Sequence, residues 1–375
     1  MLGDQATAIG VMCGSSLDGV DVAWLRGTEL LRFSTQPLPQ HLTARLRPAL
    51  LGEPLAAPEM AALDVAVGRA FVDAVRRAGG RERADFVACH GITVAHDPAS
   101  GYSWQLGDLA TVARGLATTA VGHFRSHDVA GGGEGAPLAP LFHRRLFGEP
   151  EEDRLVLNLG GITNLSELPA TGATRGYDLG PCNLLLDPLY RRLTGGQGFD
   201  GDGRLAARGH ARSDLLPPFL DDPFLRAEPP KSTGRERFGP DFIAAFATAC
   251  AAAGCSTEDT LRTACHYIAA NLADHLRRIA TASAWRRLIL CGGGSHNQTL
   301  VEEIRAACAA LPVESADRHG SDPDAVEAVG FALLGEQCLC GVGQEVGPIT
   351  GGAGRPILGQ IQPGPNYPYL LRRLA

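Results

Sequence analysis

The 375-residue sequence lacks the features that mark several large classes of protein. It has no lysine- and arginine-rich run, and its formal net charge of −7 at pH 7 argues against a nucleic-acid-binding surface. No apolar run is long enough to cross a bilayer. The opening residues, MLGDQATAIGVM, contain Asp4 and no basic segment. We therefore predict no secretory signal and expect a cytoplasmic location.

Motifs of several enzyme and metal-site classes are also missing. The sequence contains no GxxxxGK(S/T) phosphate loop, no HExxH zinc motif and no GxSxG nucleophile elbow. Its ten cysteines include no CxxC pair, and Cys338 and Cys340 are the closest two. We therefore expect reduced, buried thiols and no zinc site.

Segments with the pattern of buried strands alternate with helical segments, which predicts an α/β protein. The length and an ordinary composition, 45% hydrophobic and 20% charged, fit two or three domains. The predicted strands are 9–12, 20–25, 86–89, 155–159, 164–168 and 288–290, and the predicted helices are 58–78, 260–280, 298–309 and 324–334.

Two strand–glycine–strand units, IGVMCGSSLDGVDVAWL and, about half-way along, LVLNLGGITNLSEL, predict two related domains. Residues 200–240 are rich in proline, glycine and charge, and they predict a long ordered loop or lid. Within it, PPKSTGRERFG carries Lys231 and either closes over phosphate or substrate or is a solvated loop. The later segment ILGQIQPG predicts a strand that returns to an earlier domain.

Three glycine loops, each after a predicted strand, are candidates for nucleotide binding. Glycine allows several backbone N–H groups to point at one phosphate, and it lets that phosphate approach closely. The predicted nucleotide-binding residues are Gly14, Ser15, Ser16, Leu17, Asp18, Gly19, Val20, Asp21, Gly160, Gly161, Gly292, Gly293 and Gly294. Asp18 is also predicted to hold Mg²⁺, and the third loop, CGGGSHN, suits the nucleoside end of ATP.

A single loop of this kind is also compatible with a tight turn that needs glycine. Three such loops in one chain favour nucleotide binding over that alternative. A GxGxxG pattern at Gly196, Gly198 and Gly201 follows no clear strand, so the sequence does not predict a Rossmann dinucleotide site.

A catalytic carboxylate is predicted in GYDLGPCN, where Asp178 follows the second glycine loop. A carboxylate at this place can act as general base towards water or a sugar hydroxyl. From the residues alone, an Asx-type turn before the Gly-Pro pair is the alternative.

Candidate substrate-binding residues come from three further segments. His90 and His96 lie in CHGITVAHDP after a predicted strand, and either contacts substrate or is structural. FRSHDVAGGGEGAPLAP places Arg125 and Asp128 in a glycine-rich turn that is typical of a substrate loop or of a solvated linker. Glu327 is acidic in an otherwise apolar helix and is a further candidate, with an ordinary amphipathic position as the alternative.

Nine motifs occur in order along nearly the whole chain. They are GVMCGSSLDGVD (10–21), HGITVAHDP (90–98), QLGD (105–108), FRSHDVAGGGEGAPL (124–138), NLGGITNL (158–165), YDLGPCNLLLD (177–187), PPKSTGRERF (229–238), CGGGSHN (291–297) and VEAVGFALLG (326–335). Together they resemble the anhydro-N-acetylmuramic acid kinase family, within the superfamily of sugar kinases, heat-shock chaperone ATPases and actin.

The resemblance implies an α/β fold of two RNase H-like domains, as in actin-like ATPases, around an interdomain cleft. Residues 1–140 would form the first domain, with 346–375 returning to complete it, and 141–345 the second. The resemblance also implies a homodimer that uses ATP and Mg²⁺. In the family reaction, water attacks C1 of the 1,6-anhydro sugar while O6 takes the γ-phosphoryl group, which gives N-acetylmuramic acid 6-phosphate in cell-wall recycling. By position, Asp178 matches the base that deprotonates this water.

Several polar positions depart from the family's pattern. The departures are Cys13, Ser15, Ile92, His123, Glu134 and Cys182. The amide lost at Ile92 and the carboxylate lost at His123 bear on the identity of the sugar more than on ATP binding. A sibling kinase for another sugar and a catalytically weak nucleotide-binding sensor therefore stay open as alternatives.

Overall fold

The structure is a computed structural model that describes residues 6–14, 17–79, 83–279 and 285–374. The strands are β1 Thr7–Met12, β2 Val20–Arg26, β3 Glu29–Gln36, β4 Phe86–Cys89, β5 Ile92–Asp97, β6 Tyr102–Leu106, β7 Thr119–Gly122, β8 Arg154–Leu159, β9 Ile162–Leu168, β10 Arg175–Pro181, β11 Arg287–Cys291, β12 Val313–Ser315 and β13 Gln360–Gln362.

The helices include many short ones. The α-helices are α1 Gln40–Leu50, α2 Ala57–Ala78, α3 Leu109–Leu116, α4 Ser126–Ala130, α5 Ala139–Phe147, α6 Asn183–Thr194, α7 Pro217–Leu220, α8 Pro223–Arg226, α9 Arg235–Phe238, α10 Pro240–Ala252, α11 Thr257–Ile279, α12 Gln298–Ala307, α13 Val326–Leu339, α14 Gly347–Thr350 and α15 Tyr367–Leu374. The 3₁₀ helices are Pro98–Ser100, Gly201–Gly203, Ala206–Arg208, Ser213–Leu215, Gly293–His296 and Ala316–His319.

The first compact unit comprises Met1–Phe142 and Ala325–Ala375. Its main sheet has the strand order β13-β7-β4-β1-β2-β3, and β5 and β6 form a separate hairpin. Apolar side chains of β1 and β2 share one core with those of α2 and α3. α2 carries Pro58 in its first turn and ends where Gly79 takes a φ of 63°, because proline suits a helix start and glycine a left-handed end.

The second compact unit comprises His143–Asp324 and contains the sheet β10-β9-β8-β11-β12. Its core joins the leucines of β8 to the helices α6, α10, α11 and α12. α11 presents Leu261, Cys265, Ile268 and Leu272 to this core, and their spacing places them in one buried stripe along the helix.

The two sheets repeat one topology. In each sheet the first three strands form an antiparallel meander. The fourth strand, β4 or β11, pairs parallel to the first on its other side, and the fifth, β7 or β12, pairs parallel to the fourth. Numbered within each unit, the order is 3-2-1-4-5, which is the arrangement of RNase H-like domains. The predicted fold class, α/β with two RNase H-like domains, is therefore confirmed.

Two parts of the organisation differ from what the sequence suggests. α13 packs on β1, where the absent side chain of Gly10 admits the α13 backbone: a Cβ on Gly10 would lie 1.8 Å from the carbonyl oxygen of Ala328. The second unit therefore ends at Asp324, whereas the sequence suggested 345. Residues 200–240 form short helices whose Leu225 and Phe238 side chains are buried in the second core, so this segment is packed and not an open loop.

All ten cysteines are free, Cys255 and Cys340 are half-buried and the others are buried, as expected for reduced thiols. Within the described ranges, no helix combines the length and apolarity that a membrane span requires.

Candidate active site

In the first unit, the parallel strands β1, β4 and β7 end at one edge of the sheet. Open α/β sheets bind ligands beyond the carboxyl ends of their strands. Gly14 follows β1, His90 follows β4 and Arg125 comes shortly after β7. The fold therefore gathers three predicted site segments at one edge, although they are far apart in sequence.

The first glycine loop joins β1 to β2. Leu17 adopts a φ of 61°, which is rare for a branched side chain, and its N–H donates to the carbonyl oxygen of Gly14 at 3.1 Å. Asp18 is exposed, whereas Asp21 accepts a hydrogen bond from the Thr35 hydroxyl at 2.6 Å. Strained backbone of this kind is concentrated at functional loops. Predicted contacts at residues 15 and 16 lie outside the described residues.

His90 and Arg125 contact each other directly. Arg125 Nε donates to His90 Nε2 at 3.0 Å, and the other ring nitrogen of His90, Nδ1, lies 2.9 Å from the carbonyl oxygen of Gly91. Burial, followed by the charge of Arg125, holds the pKa of His90 well below its usual value. The ring is therefore neutral, with its proton on Nδ1 and its Nε2 lone pair directed to Arg125.

Asp128 is fully buried in this unit. Its carboxylate accepts hydrogen bonds from the Gly135 N–H at 2.7 Å and from the Thr350 hydroxyl at 2.8 Å, while Arg125 donates to the Gly135 carbonyl at 2.7 Å. Desolvation raises the pKa of Asp128. This position favours a role for Asp128 in shaping the loop before α5 over direct contact with a substrate.

The remaining substrate-side candidates lie at different places in the first unit. Glu327 is half-buried in the first turn of α13. His96 lies on the β5–β6 hairpin, where its Nδ1 is 2.9 Å from the Ser103 hydroxyl. No sequence pattern singles out Phe331 as a partner of His90. The two ring centroids lie 4.4 Å apart, and the phenylalanine ring helps to bury the histidine.

In the second unit, the two remaining glycine loops come together. β8 and β11 are parallel neighbours, so the Gly160–Gly161 turn and the Gly292–Gly294 loop leave the same edge of the sheet. Gly292 has a φ of 80°, and a Cβ there would lie 2.3 Å from the Asn158 side-chain oxygen. Gly161 and Gly293, by contrast, have no atom within 4 Å of such a Cβ, so a ligand can approach the backbone closely.

The Gly160–Gly161 turn is fastened to the start of α6. The N–H groups of Cys182 and Leu184 donate to the Gly161 carbonyl at 2.9 and 3.0 Å, and that of Asn183 donates to the Gly160 carbonyl at 3.1 Å. These bonds fix the turn through its carbonyl oxygens, and the turn's own N–H groups take no part in them. Fixed backbone donors of this kind suit phosphate oxygens.

A cavity of about 640 Å³ lies beside the Gly292–Gly294 loop, between β11, α12 and residues 315–323. Ser295, His296, Arg305 and Asp322 are among its polar lining residues. At its rim, His296 Nε2 lies 2.8 Å from the Asp324 carboxylate. Its volume fits a small organic ligand such as a nucleoside.

Asp178 lies on β10, the edge strand of the second sheet, and is 7% exposed. It pairs with Asn164 of β9, three residues after Gly161, or about 10 Å along the strand. The register shifts between Asp178 and Gly180, and such a bulge re-aims side chains near sites. The predicted base is therefore on the same sheet as two glycine loops.

Two residues of the PPKSTGRERF motif, Lys231 and Thr233, lie beside Asp178, and no local sequence pattern signals this contact. Its carboxylate accepts a hydrogen bond from the Thr233 N–H at 2.9 Å, and its own N–H donates to the Lys231 carbonyl at 3.2 Å. Within the described part of the chain, the buried Asn164 Oδ1 and Thr233 Oγ1 have no hydrogen-bond partner. Unpaired buried oxygens are costly, and they often mark sites that complete their hydrogen bonds with ligand or water.

No preformed metal cage is found in the part of the chain that the structure describes. The described residues contain no group of three or more His, Cys, Asp or Glu side chains placed to hold a metal. Mg²⁺ bound with phosphates needs only one or two carboxylates, since water and phosphate oxygens complete its shell. The exposed Asp18, beside the first glycine loop, fits that requirement.

Comparison with known proteins identifies the family. A model of the anhydro-N-acetylmuramic acid kinase family matches residues 6–364. A protein with that name from Xanthomonas axonopodis pv. citri (strain 306) is 39% identical over 375 residues, which cover 96% of this chain and 99% of that protein. Another with that name, from Xanthomonas oryzae pv. oryzae (strain MAFF 311018), is 38% identical over 375 residues, covering 96% and 98%.

Solved structures with a similar fold are more distant. One is the activator of the 2-hydroxyisocaproyl-CoA dehydratase from Clostridium difficile with bound ADPNP, with 13% identity, a TM-score of 0.45 and coverage of 88% of this chain and 94% of that chain. Another is a ROK family glucokinase from Streptomyces griseus in complex with glucose and AMPPNP, with 18% identity, a TM-score of 0.41 and coverage of 88% and 100%. The assignment rests on the family match and the sequence relatives: the chain belongs to the anhydro-N-acetylmuramic acid kinase family.

Proposed function

We propose that this kinase opens 1,6-anhydro-N-acetylmuramic acid with water and phosphorylates it at O6 with ATP, giving N-acetylmuramic acid 6-phosphate. Family membership and the shared name of relatives that align over almost the whole chain support this reaction. The observation that carries the proposal is the Asp178 carboxylate, buried on the edge strand of a sheet that also bears two glycine loops.

Asp178 acts as the general base. It takes a proton from the water whose oxygen forms the new bond to C1, while the C1–O6 bond breaks and O6 takes the γ-phosphoryl group from ATP, whose β,γ-bridging bond breaks to release ADP. The Thr233 N–H, 2.9 Å from the carboxylate, fixes its orientation and stabilises its ionised form, which is the form that accepts a proton. A positioned general base contributes roughly 10²- to 10⁴-fold to a rate.

The glycine loops of each unit supply the donors for the nucleotide. In the first unit, residues 14–21 bind phosphate, and Asp18 is the carboxylate for Mg²⁺, which when bound neutralises charge on the phosphates. In the second unit, the turn at Gly160–Gly161 binds phosphate through its N–H groups. The cavity of about 640 Å³ beside Gly292–Gly294 takes the nucleoside end.

The sugar is oriented by side chains of the first unit. Arg125 is held by its contact with His90, and both follow strands that end at one edge of the sheet. Glu327 lies in the first turn of α13 and is proposed as a further contact. Asp128 contributes by shaping the loop that also receives the Arg125 hydrogen bond. We further propose that this kinase is cytoplasmic, since free buried thiols suit a reducing compartment. We also propose that it is a homodimer and that it acts in cell-wall recycling.

The experiment that tests the reaction supplies ATP, Mg²⁺ and 1,6-anhydro-N-acetylmuramic acid in ¹⁸O-water and analyses the product by mass spectrometry. We expect phosphate at O6 and label at C1. Turnover of other sugars but not of this one would replace the proposal with a sibling kinase, in line with the fully buried, apolar Ile92. ATP binding without turnover of any sugar would replace it with a nucleotide sensor.

A further inference from the structure

The backbone beside Asp178 at the outer edge of β10 is that of residues 231–233, which form neither helix nor strand. β10 is the last strand of its sheet, and residues 231–233 lie against its outer edge. Asp178 donates its N–H to the Lys231 carbonyl at 3.2 Å, and two residues later the Thr233 N–H donates to the Asp178 carboxylate at 2.9 Å. The orientation of this carboxylate therefore depends on where residues 231–233 are held.

The Lys231 side chain holds this segment to the core. Its Nζ donates to the carbonyl oxygens of Phe224 and Leu225 at 2.9 and 3.2 Å, and it lies 4.8 Å from the centroid of the Phe224 ring. Lys231 is 7% exposed, and burial lowers its pKa to about 8. A buried ammonium is tolerated because these carbonyls and the ring offset its lost hydration.

Leu225, whose carbonyl accepts a hydrogen bond from Lys231, is itself held firmly in place. Leu225 is 3% exposed and belongs to the second core. Arg278 of α11 donates to the Leu225 carbonyl at 3.0 Å, so α8 is also attached to the longest helix of the unit. A continuous path of contacts therefore runs from the core through α8 and Lys231 to the Asp178 carboxylate.

We propose that Lys231 is a positioning residue, whose ammonium anchors residues 231–233 so that the Thr233 N–H faces the carboxylate of Asp178. The inference rests on the proposed role of Asp178 as base. It assigns Lys231 a task other than phosphate binding, because its ammonium is directed to two backbone carbonyls and an aromatic ring.

The test compares Lys231→Met with Arg237→Met. Methionine keeps the length and apolar bulk of the lysine stem but removes the ammonium. Arg237 is the matched control, since it also lies over the Phe224 ring, at 5.7 Å, and its guanidinium pairs with the Asp222 carboxylate. Both variants are assayed with whichever sugar the ¹⁸O-water experiment shows to be turned over.

For Lys231→Met we expect kcat to fall roughly tenfold or more, the equivalent of one hydrogen bond to a charged group, with little change in KM for ATP. We also expect the acid limb of the kcat profile to move to higher pH, because a carboxylate that loses a donor is protonated more readily. Arg237→Met should leave kcat and its pH profile unchanged. A raised KM for ATP at normal kcat would show that Lys231 binds phosphate and would overturn the inference, as would a folded Lys231→Met with wild-type kcat and profile.

A second variant, Thr233→Pro, removes the donor without touching Lys231, and it decides the matter if Lys231→Met does not fold. In this variant too, the acid limb of the kcat profile should move to higher pH. An unshifted limb in folded Thr233→Pro would refute the proposed link. Full turnover by Asp178→Asn would instead refute the assignment of Asp178 as the base. Failure of the proposed function is therefore distinguished from failure of the proposed role of Lys231 alone.

Discussion

At the scale of single residues, two buried histidines of the second unit carry no charge. His275 Nε2 lies 2.7 Å from the Tyr177 hydroxyl, which donates its own proton to the Glu167 carboxylate. His275 is therefore the donor in its contact with Tyr177. His143 Nδ1 lies 2.8 Å from the Ser166 hydroxyl. Burial lowers the pKa of both histidines to about 3.

These histidines predict loss of stability in acid. Between pH 6.5 and about 3 the unfolded chain binds a proton at each histidine and the folded chain does not, so stability falls as pH falls. From pH 7 to pH 5 each should cost the second unit up to about 2 kcal/mol of unfolding free energy. Urea unfolding can be followed through Trp285 in a chain whose other two tryptophans are phenylalanine.

The control for this prediction is His210, which is exposed in the same unit. His275→Gln should reduce the difference between pH 7 and pH 5, and His210→Gln should not. An equal pH dependence in wild type and His275→Gln would show that this histidine is not the source.

Single residues also show what sequence patterns can and cannot reveal. Asp178 was identifiable because it lies in a motif beside a glycine loop. Its partners Lys231 and Thr233 come 53 and 55 positions later, and no local pattern signals a contact over that distance. Asp128 is predicted to touch substrate, and it is buried in the first unit; an acidic residue in a glycine-rich turn looks the same whether it faces a ligand or is buried under its own loop.

At the scale of elements, the contact of α13 with β1 depends on one glycine. A Cβ on Gly10 would lie 1.8 Å from the Ala328 carbonyl oxygen, which belongs to helix backbone and cannot rotate away. Gly10→Ala should therefore displace α13 and destabilise the first unit by about 1–3 kcal/mol, as overpacking does.

This effect is measured by urea unfolding followed through Trp24, which pairs with Ile9 beside the glycine. Gly201→Ala is the control, because a Cβ there meets no atom within 4 Å. Equal stability of Gly10→Ala and wild type would mean that α13 does not pack as described.

The elements found from sequence are those with continuous apolar runs. β1, β4, β8 and β11 are nearly all buried and were predicted. The edge strands β3 and β10 were missed, since β3 is mostly half-exposed and β10 carries a Gly-Pro pair that resembles a turn. The helices between 200 and 240 were missed because their anchoring residues, such as Leu225 and Phe238, occur singly among prolines and glycines.

At the scale of the whole molecule, the chain builds the same 3-2-1-4-5 sheet twice. It forms five strands of the first sheet, then the second sheet, and returns at Ala325 to add α13 to the first unit and β13 as the sixth strand of its sheet. The repeated strand–glycine–strand plan predicted this duplication, because a meander that opens each sheet leaves a local signature. No local sequence signature indicates that α13 returns to the first unit, since its apolar side chains would suit either core.

The central claim is that Asp178 is the general base of this kinase, and Asp178→Asn tests it most directly. Asparagine keeps the size of the side chain and its hydrogen bond from Thr233 but cannot take up the proton. Asp221→Asn, which removes an exposed acid paired with Arg226 in the same unit, is the control. Nucleotide affinity is measured by calorimetry and product formation by single turnover. The account predicts unchanged ATP binding with product formation roughly 10²- to 10⁴-fold slower in Asp178→Asn only; wild-type product formation by Asp178→Asn would contradict it.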